Sequence, residues 1–174
     1  MTRPRAATVL AVLALSLPPA CHAETTATTI DIDGFLASAS AAREARAERL
    51  LPLEEFLALA RREDAVLLDT RSRAAFEALH LAGSVHLNFS DITQESLVQV
   101  LGDPSRPVLI YCNNNFTDDV EPITSKLPAA ALNIPTFVTL WIYGYRNVYE
   151  LADLLDSGDP RLEVVGGTIS SQGG

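Results

Sequence analysis

The residue best equipped for chemistry is Cys112. It closes an apolar run, Val108-Leu109-Ile110-Tyr111, and opens a polar stretch, Asn113-Asn114-Asn115-Phe116-Thr117. Four apolar or aromatic residues in succession, preceded by Pro104 and Pro107, predict a short strand covered on both faces. A thiol at the carboxyl end of such a strand stands where open α/β sheets place their ligands. The chain has two cysteines, and the other, Cys21, falls in the leader described below. Any thiol chemistry of the mature protein therefore falls to Cys112. The three asparagines after it read equally as a neutral hydrogen-bonding cradle or as a turn needing unusual backbone angles.

Other polar candidates are weaker. Asp69 and Arg71 stand at the end of an apolar segment and are expected to tie strand ends to loops. His80 and His86 flank Gly83 with no further ligands in pattern, so no metal site is expected. Glu44 and Glu48, interleaved with Arg43, Arg46 and Arg49, describe a solvated helix face with no assigned function. Trp141, Tyr143 and Tyr145 read as packing residues.

The elements that must position these residues alternate along the chain. Residues 37–50 favour helix, with Asp33 as a candidate cap. A second helix begins at Pro52 and presents Leu53, Phe56, Leu57 and Leu59 on one face. Residues 65–68 read as a buried strand and 73–79 as a short helix. Residues 85–87 form another brief strand, and Ser90 or Asp91 caps a helix ending near Leu101-Gly102. Pro122 places the next helix start at itself, because a proline deeper in a helix removes a needed donor. Pro135 suits the first turn of a helix carrying Phe137, Val138, Leu140 and Trp141, stopped by Gly144. Residues 147–151 make the last strand. Strands alternating with helices predict an α/β fold with a mainly parallel central sheet flanked by helices.

Three pieces stand in a telling order. Asp69-Thr70-Arg71 closes one strand, Phe76 to Leu87 follows with His80 and Gly83, and a later strand ends at Cys112. This order resembles the rhodanese-like (sulfurtransferase) domain family, and Gly144 to Leu151 is similar to that family's last strand. The resemblance spans about residues 50–155. It implies a rhodanese-like sheet, Cys112 as catalytic thiolate and persulfide carrier, and Asp69, Arg71 and His80 as structural support. It also implies a sulfur-cradling, substrate-binding loop formed by Asn113, Asn114, Asn115, Phe116 and Thr117, with inward N–H groups and a helix N-terminus behind them.

The loop departs from the family pattern in charge. Asn113 stands where an arginine is common, Asn115 replaces glycine, and no cation follows the cysteine. Asp118, Asp119 and Glu121 are acidic, and carboxylates within a Debye length are expected to raise the thiol pKa and discourage dianions such as thiosulfate. Asp118 also stands where phosphatase-like relatives carry arginine, which opposes phosphate chemistry.

The N-terminus suggests export. Arg3 and Arg5 precede an apolar run over residues 6–17, broken by Pro18-Pro19. That run is too short to span a bilayer and suits a signal peptide over residues 1–23. Small residues at Cys21 and Ala23 predict cleavage before Glu24. Lipidation of Cys21 is the alternative, a poorer match because positions 18–20 are Pro, Pro and Ala. The expected organisation is an extension over 24–49, a domain over 50–165 and a loose tail over 166–174.

The full chain carries 13 basic and 22 acidic residues, a net charge of −9. Losing Arg3 and Arg5 leaves 11 basic against 22 acidic, or −11, which disfavours nucleic acid and anionic membranes. The expectation is a periplasmic or secreted protein with no cofactor and no membrane insertion in its mature form. Its expected partner is a small sulfur donor or an exported thiol protein. A non-catalytic binding or sensory module, or a thiol forming mixed disulfides with an exported partner, is the alternative.

Overall fold

A computed structural model describes residues 29–117 and 122–166, and the fold given below is that of the unit beginning at Asp31. The expected leader, Asp118, Asp119 and Glu121, and most of the tail lie outside the described residues.

Five strands form a parallel sheet in the order β1, β6, β5, β2, β4. They are β1 (Leu50–Leu51), β2 (Val66–Asp69), β4 (Val85–His86), β5 (Val108–Tyr111) and β6 (Val148–Leu151). A separate antiparallel pair joins β3 (His80–Leu81) to β7 (Val164–Val165). The helices are α1 (Ile32–Arg46), α2 (Leu53–Ala60), α3 (Arg73–Ala78), α4 (Gln94–Leu101) and α5 (Asn133–Ile142). This is the mainly parallel α/β sheet expected from the alternation of elements.

Alternation along the central strands builds two cores, because successive side chains of a strand point to opposite faces. Val66, Leu68, Val108 and Ile110 pack with Ala42 of α1, Leu97 and Leu101 of α4, and Phe137 and Leu140 of α5. Leu67, Leu109 and Tyr111 face the other way, against Leu53 and Phe56 of α2 and against Phe116, Ile123 and Leu155. With both faces covered, β2 and β5 are buried along their full length, which is why they read as unbroken apolar runs.

The chain turns to opposite sides after β2 and after β5. From β2 it runs outward to β4, and from β5 it runs the other way to β6. The carboxyl ends of β2 and β5, where Asp69 pairs in register with Tyr111, therefore flank a topological switch point.

Several local expectations are corrected. α1 starts earlier than expected, since Asp31 rather than Asp33 is its cap and accepts from the Gly34 N–H at 2.8 Å. Leu50 and Leu51 leave the helix and pair with Glu150 and Leu151 as an edge strand. α4 is capped by Thr93, whose hydroxyl and the Ser96 side chain exchange bonds reciprocally, rather than by Ser90 or Asp91. No helix starts at Pro122: a single 3₁₀ turn at Pro128–Ala130 precedes α5. The α5 terminus follows expectation. Gly144 takes φ +93°, and the Gly144 and Tyr145 N–H groups bond back to Trp141 and Leu140 carbonyls, closing the helix end.

Leu109 is fully buried in the middle of the central strand. Leu109→Ala is expected to lower unfolding free energy by about 3 kcal/mol through lost burial and a residual cavity. Val98→Ala, on the exposed side of α4, should change it by less than about 0.5 kcal/mol. Urea unfolding of the two variants checks the pair.

Candidate active site

The site grows from the ends of β2 and β5. Asp69 and Arg71 are both buried and bonded to each other, with Arg71 Nη2 at 2.6 Å from Asp69 Oδ2 and the Arg71 backbone N–H at 2.9 Å from Oδ1. Tyr111 Oη donates to Asp69 Oδ2 at 2.7 Å. Burial, with the Asp69 charge beside it, pushes the Tyr111 phenol well above its ordinary pKa, so it remains a donor. The other Arg71 donors reach outward, Nη2 to the Leu79 carbonyl at 2.6 Å and Nη1 to Asn113 Oδ1 at 3.0 Å. Asp69 and Arg71 thus tie the two strand ends to both following loops.

His80 lies apart from the thiol. Its ring stacks on Phe76 with centroids 3.9 Å apart, and Nδ1 is 2.8 Å from the Phe76 carbonyl oxygen. His86 Nε2 is 2.9 Å from the Arg71 carbonyl oxygen. Among the described residues no cluster of three or more His, Cys, Asp or Glu side chains gathers in one place.

Cys112 is 2% exposed. The residues after it do not wrap around its sulfur as the family pattern implies. Asn113–Asn115 form one 3₁₀ turn, and the Phe116 N–H bonds to the Asn113 carbonyl. The Thr117 N–H bonds to the Leu155 carbonyl, and Phe116 pairs with Leu155 in a parallel bridge. The Phe116 side chain is buried in the core, edge-on to Tyr111 at 6.0 Å, whereas Thr117 is exposed. Neither residue supplies an inward N–H to the sulfur.

Those N–H groups come mostly from elsewhere. Asn133, Asn114 and Leu132 turn their backbone N–H groups to the thiol, two of them at the start of α5. A helix N-terminus does stand behind the sulfur, although it begins 21 residues along the chain from Cys112. Burial nevertheless pushes the thiol above its ordinary pKa. The three N–H groups act against that rise, and the Glu150 carboxylate adds to it. Burial is the main cause of this rise, and the carboxylates expected to cause one, Asp118, Asp119 and Glu121, lie outside the described residues.

All three asparagines hold the loop. Asn113 accepts from Arg71 and donates to the Thr124 carbonyl at 3.2 Å. Asn114 pairs with the Lys126 backbone, donating at 2.6 Å and accepting at 3.1 Å. Asn115 is buried: its Oδ1 accepts from the Cys112 N–H at 2.9 Å, and its Nδ2 donates to the Leu151 and Asp153 carbonyls. No non-glycine residue has positive φ among the described residues, so the turn needs no unusual backbone angles.

Two residues near the thiol escaped the sequence reading. Glu150 is 5% exposed and binds Arg46 of α1 in bidentate fashion, at 2.5 and 2.8 Å. Asn133 Nδ2 bridges Glu150 Oε1 and Asn115 Oδ1, each at 3.2 Å. The available signal was a carboxylate inside the apolar strand Val148-Tyr149-Glu150-Leu151. The Arg46 face, read as solvated, is half engaged at the site.

Two cavities adjoin Cys112. One, of about 240 Å³, is lined by Arg71, Ser72, Cys112, Asn113, Lys126 and Leu132 among others. The other, of about 360 Å³, is lined by Arg46, Cys112, Asn115, Asn133, Glu150 and Ala152 among others.

The rhodanese-like domain model matches residues 52–153 of the chain. Among curated proteins none matches significantly. A Bacillus halodurans protein of known crystal structure is 15% identical, with TM-score 0.44, over 68% of this chain and 76% of its own. An Anabaena protein is 18% identical, with TM-score 0.44, over 66% of this chain and 91% of its own. The polysulfide-sulfur transferase homodimer of Wolinella succinogenes is 19% identical, with TM-score 0.46, over 78% of this chain and 92% of its own. The domain match covers most of the sheet, both strand ends at the switch point and the thiol between them, and the chain belongs to the rhodanese-like domain family.

Proposed function

We propose that the protein is an exported sulfur carrier in which Cys112 accepts sulfane sulfur from a small donor and passes it to an acceptor thiol. The observation that carries this reading is the convergence of the Asn133, Asn114 and Leu132 backbone N–H groups on one sulfur. Such donors favour a negative sulfur, whether thiolate or persulfide. Export rests on the basic, apolar and small-residue pattern of residues 1–23. No helix of the described residues is long and apolar enough to cross a membrane.

A thiol that stays protonated at neutral pH must lose its proton before it attacks. The proton passes from Cys112 Sγ to solvent, giving a Cys112 thiolate that meets the donor as RSSH. Sγ then attacks the outer sulfur, the Sγ–S bond forms, the S–S bond of the donor breaks, and RS⁻ departs with the electron pair. Thiosulfate is a dianion: the residues that follow Cys112 offer it no cation, the Lys126 ammonium in the adjoining cavity matches at most one of its two charges, and Glu150 opposes it. Poor thiosulfate use is therefore part of the proposal.

The burial of the thiol favours a second reading, a binding module that retains the fold without turnover. Intact mass separates the two. After treatment with polysulfide or glutathione persulfide, wild type should gain one sulfur and Cys112→Ser none. No gain with any donor leaves the binding module standing. The pH profile of Cys112 alkylation gives a separate check. Its rise should be centred above the ordinary thiol range, and Glu150→Gln should move it to lower pH, because it removes a charge that disfavours the thiolate. An unmoved profile would remove Glu150 from the electrostatics of the site.

A further inference from the structure

The 3₁₀ turn after Cys112 borders two cavities. Asn113 lines the smaller cavity and Asn115 the larger, while Cys112 and Asn114 line both. The start of α5 is divided in the same way, Leu132 on the smaller side and Asn133 on the larger. These two residues also supply N–H groups to the sulfur. The thiol and the N–H donors around it therefore border both cavities.

The two cavities differ chemically. The smaller one has Arg71 and Lys126 in its lining and no carboxylate among the described residues. The Arg71 charge is matched by Asp69, whereas the Lys126 ammonium has no ion-pair partner among the described residues. The larger cavity holds the Arg46–Glu150 pair, whose charges compensate, beside Leu50, Pro128, Ala131 and Ala152. Two of its lining residues, Arg46 and Leu50, precede the segment matched by the domain family.

From this division we infer that donor and acceptor reach Cys112 from opposite sides, an anionic low-molecular-weight persulfide through the Lys126 cavity and an acceptor thiol through the Arg46–Glu150 cavity. The inference rests on the sulfur-carrier reading and adds a direction to it. On the Lys126 side the donor passes its outer sulfur to Sγ as described, leaving Cys112–S–SH and RS⁻. Rotation about the Cβ–Sγ bond, between staggered wells, turns the outer sulfur from one cavity to the other while Sγ keeps its N–H donors. On the Arg46 side an acceptor thiolate, R′S⁻, attacks that outer sulfur. The R′S–S bond forms, the Sγ–S bond breaks, and Cys112 leaves as thiolate with the electron pair, giving R′S–SH. Each transfer moves one sulfur and needs no external oxidant or reductant.

Two exposed positions allow each cavity to be filled without touching the groups that bond the thiol: Lys126 on one side and Ala152 on the other. Access is read first, by iodoacetamide alkylation of Cys112 in the full chain at alkaline pH. Lys126→Trp and Ala152→Trp should each slow it less than the double variant does, by about twofold where the two routes carry equal flux, and the double variant by about tenfold or more. A single variant that falls as far as the double overturns two-sided access, as does a double variant that reacts like wild type. Direction is read next, by intact mass. Lys126→Glu should slow loading from glutathione persulfide by about tenfold while the unloading of preloaded protein to glutathione is unchanged. Ala152→Trp should do the reverse. Both variants slowing the same half-reaction overturns the inference. A wild type that gains no sulfur overturns the sulfur-carrier reading and the direction together, a result distinguishable from failed access because alkylation does not depend on sulfur transfer.

Discussion

The buried Asp69–Arg71 ion pair is the constraint on which the rest of the site depends. Two charges taken out of water at the end of β2 carry a desolvation cost of several kcal/mol each, recovered only through close geometry and full hydrogen bonding. Here the carboxylate receives the Arg71 side chain, the Arg71 backbone N–H and the Tyr111 hydroxyl. The guanidinium spends its remaining donors on Leu79 and Asn113. No buried side-chain nitrogen or oxygen lacks a partner among the described residues. The pair therefore fixes four things at once: the ends of β2 and β5, the loop toward α3 and β3, and the turn after the thiol. Because the chain moves to opposite sides of the sheet after β2 and after β5, this contact lies at the crevice beside Cys112.

At the thiol itself, opposing effects are balanced by position in the fold. The α5 N-terminus and the Asn114 N–H favour a negative sulfur, while burial and the Glu150 carboxylate oppose it. Burial wins, and the resting thiol is held above its usual range. A thiol held protonated is less open to oxidation than a standing thiolate.

What was legible in the sequence followed from short-range pattern. β2 and β5 were readable because both faces are covered, so every position is apolar. The α5 segment was readable because its apolar residues recur at helical spacing and Gly144 ends it. Leu50-Leu51 was hidden, since a two-residue edge strand cannot announce itself beside a helix-favouring run. The cap of α1 was ambiguous because Asp31 and Asp33 are chemically alike, and only the backbone path chose between them. The sulfur's surroundings were not legible. Cys112, Asn133, Glu150 and Arg46 meet only after the sheet has formed, and nothing local in sequence links positions 46 and 150. The family pattern drew attention to residues 113–117, yet here the asparagine side chains are spent on holding the turn and the N–H groups of Phe116 and Thr117 bond to carbonyls. Their task at the sulfur passes largely to α5.

That transfer explains how the loop can lack a cation. In a loop that encloses its sulfur, any cation must come from the loop itself. Once the turn is reduced to three residues and α5 supplies the N–H groups, the space on either side is open to other segments. Lys126 enters on one side, its backbone clipped to Asn114, and Arg46 enters on the other, brought by a helix ahead of the family's own span. The two cations do not act alike. Lys126 has no carboxylate beside it among the described residues and leaves its cavity attractive to an anion, whereas Arg46 is matched by Glu150 and leaves a nearly neutral one. On the proposed reading this asymmetry of charge around a single sulfur gives transfer its direction, and α1 supplies the compensated side through Arg46.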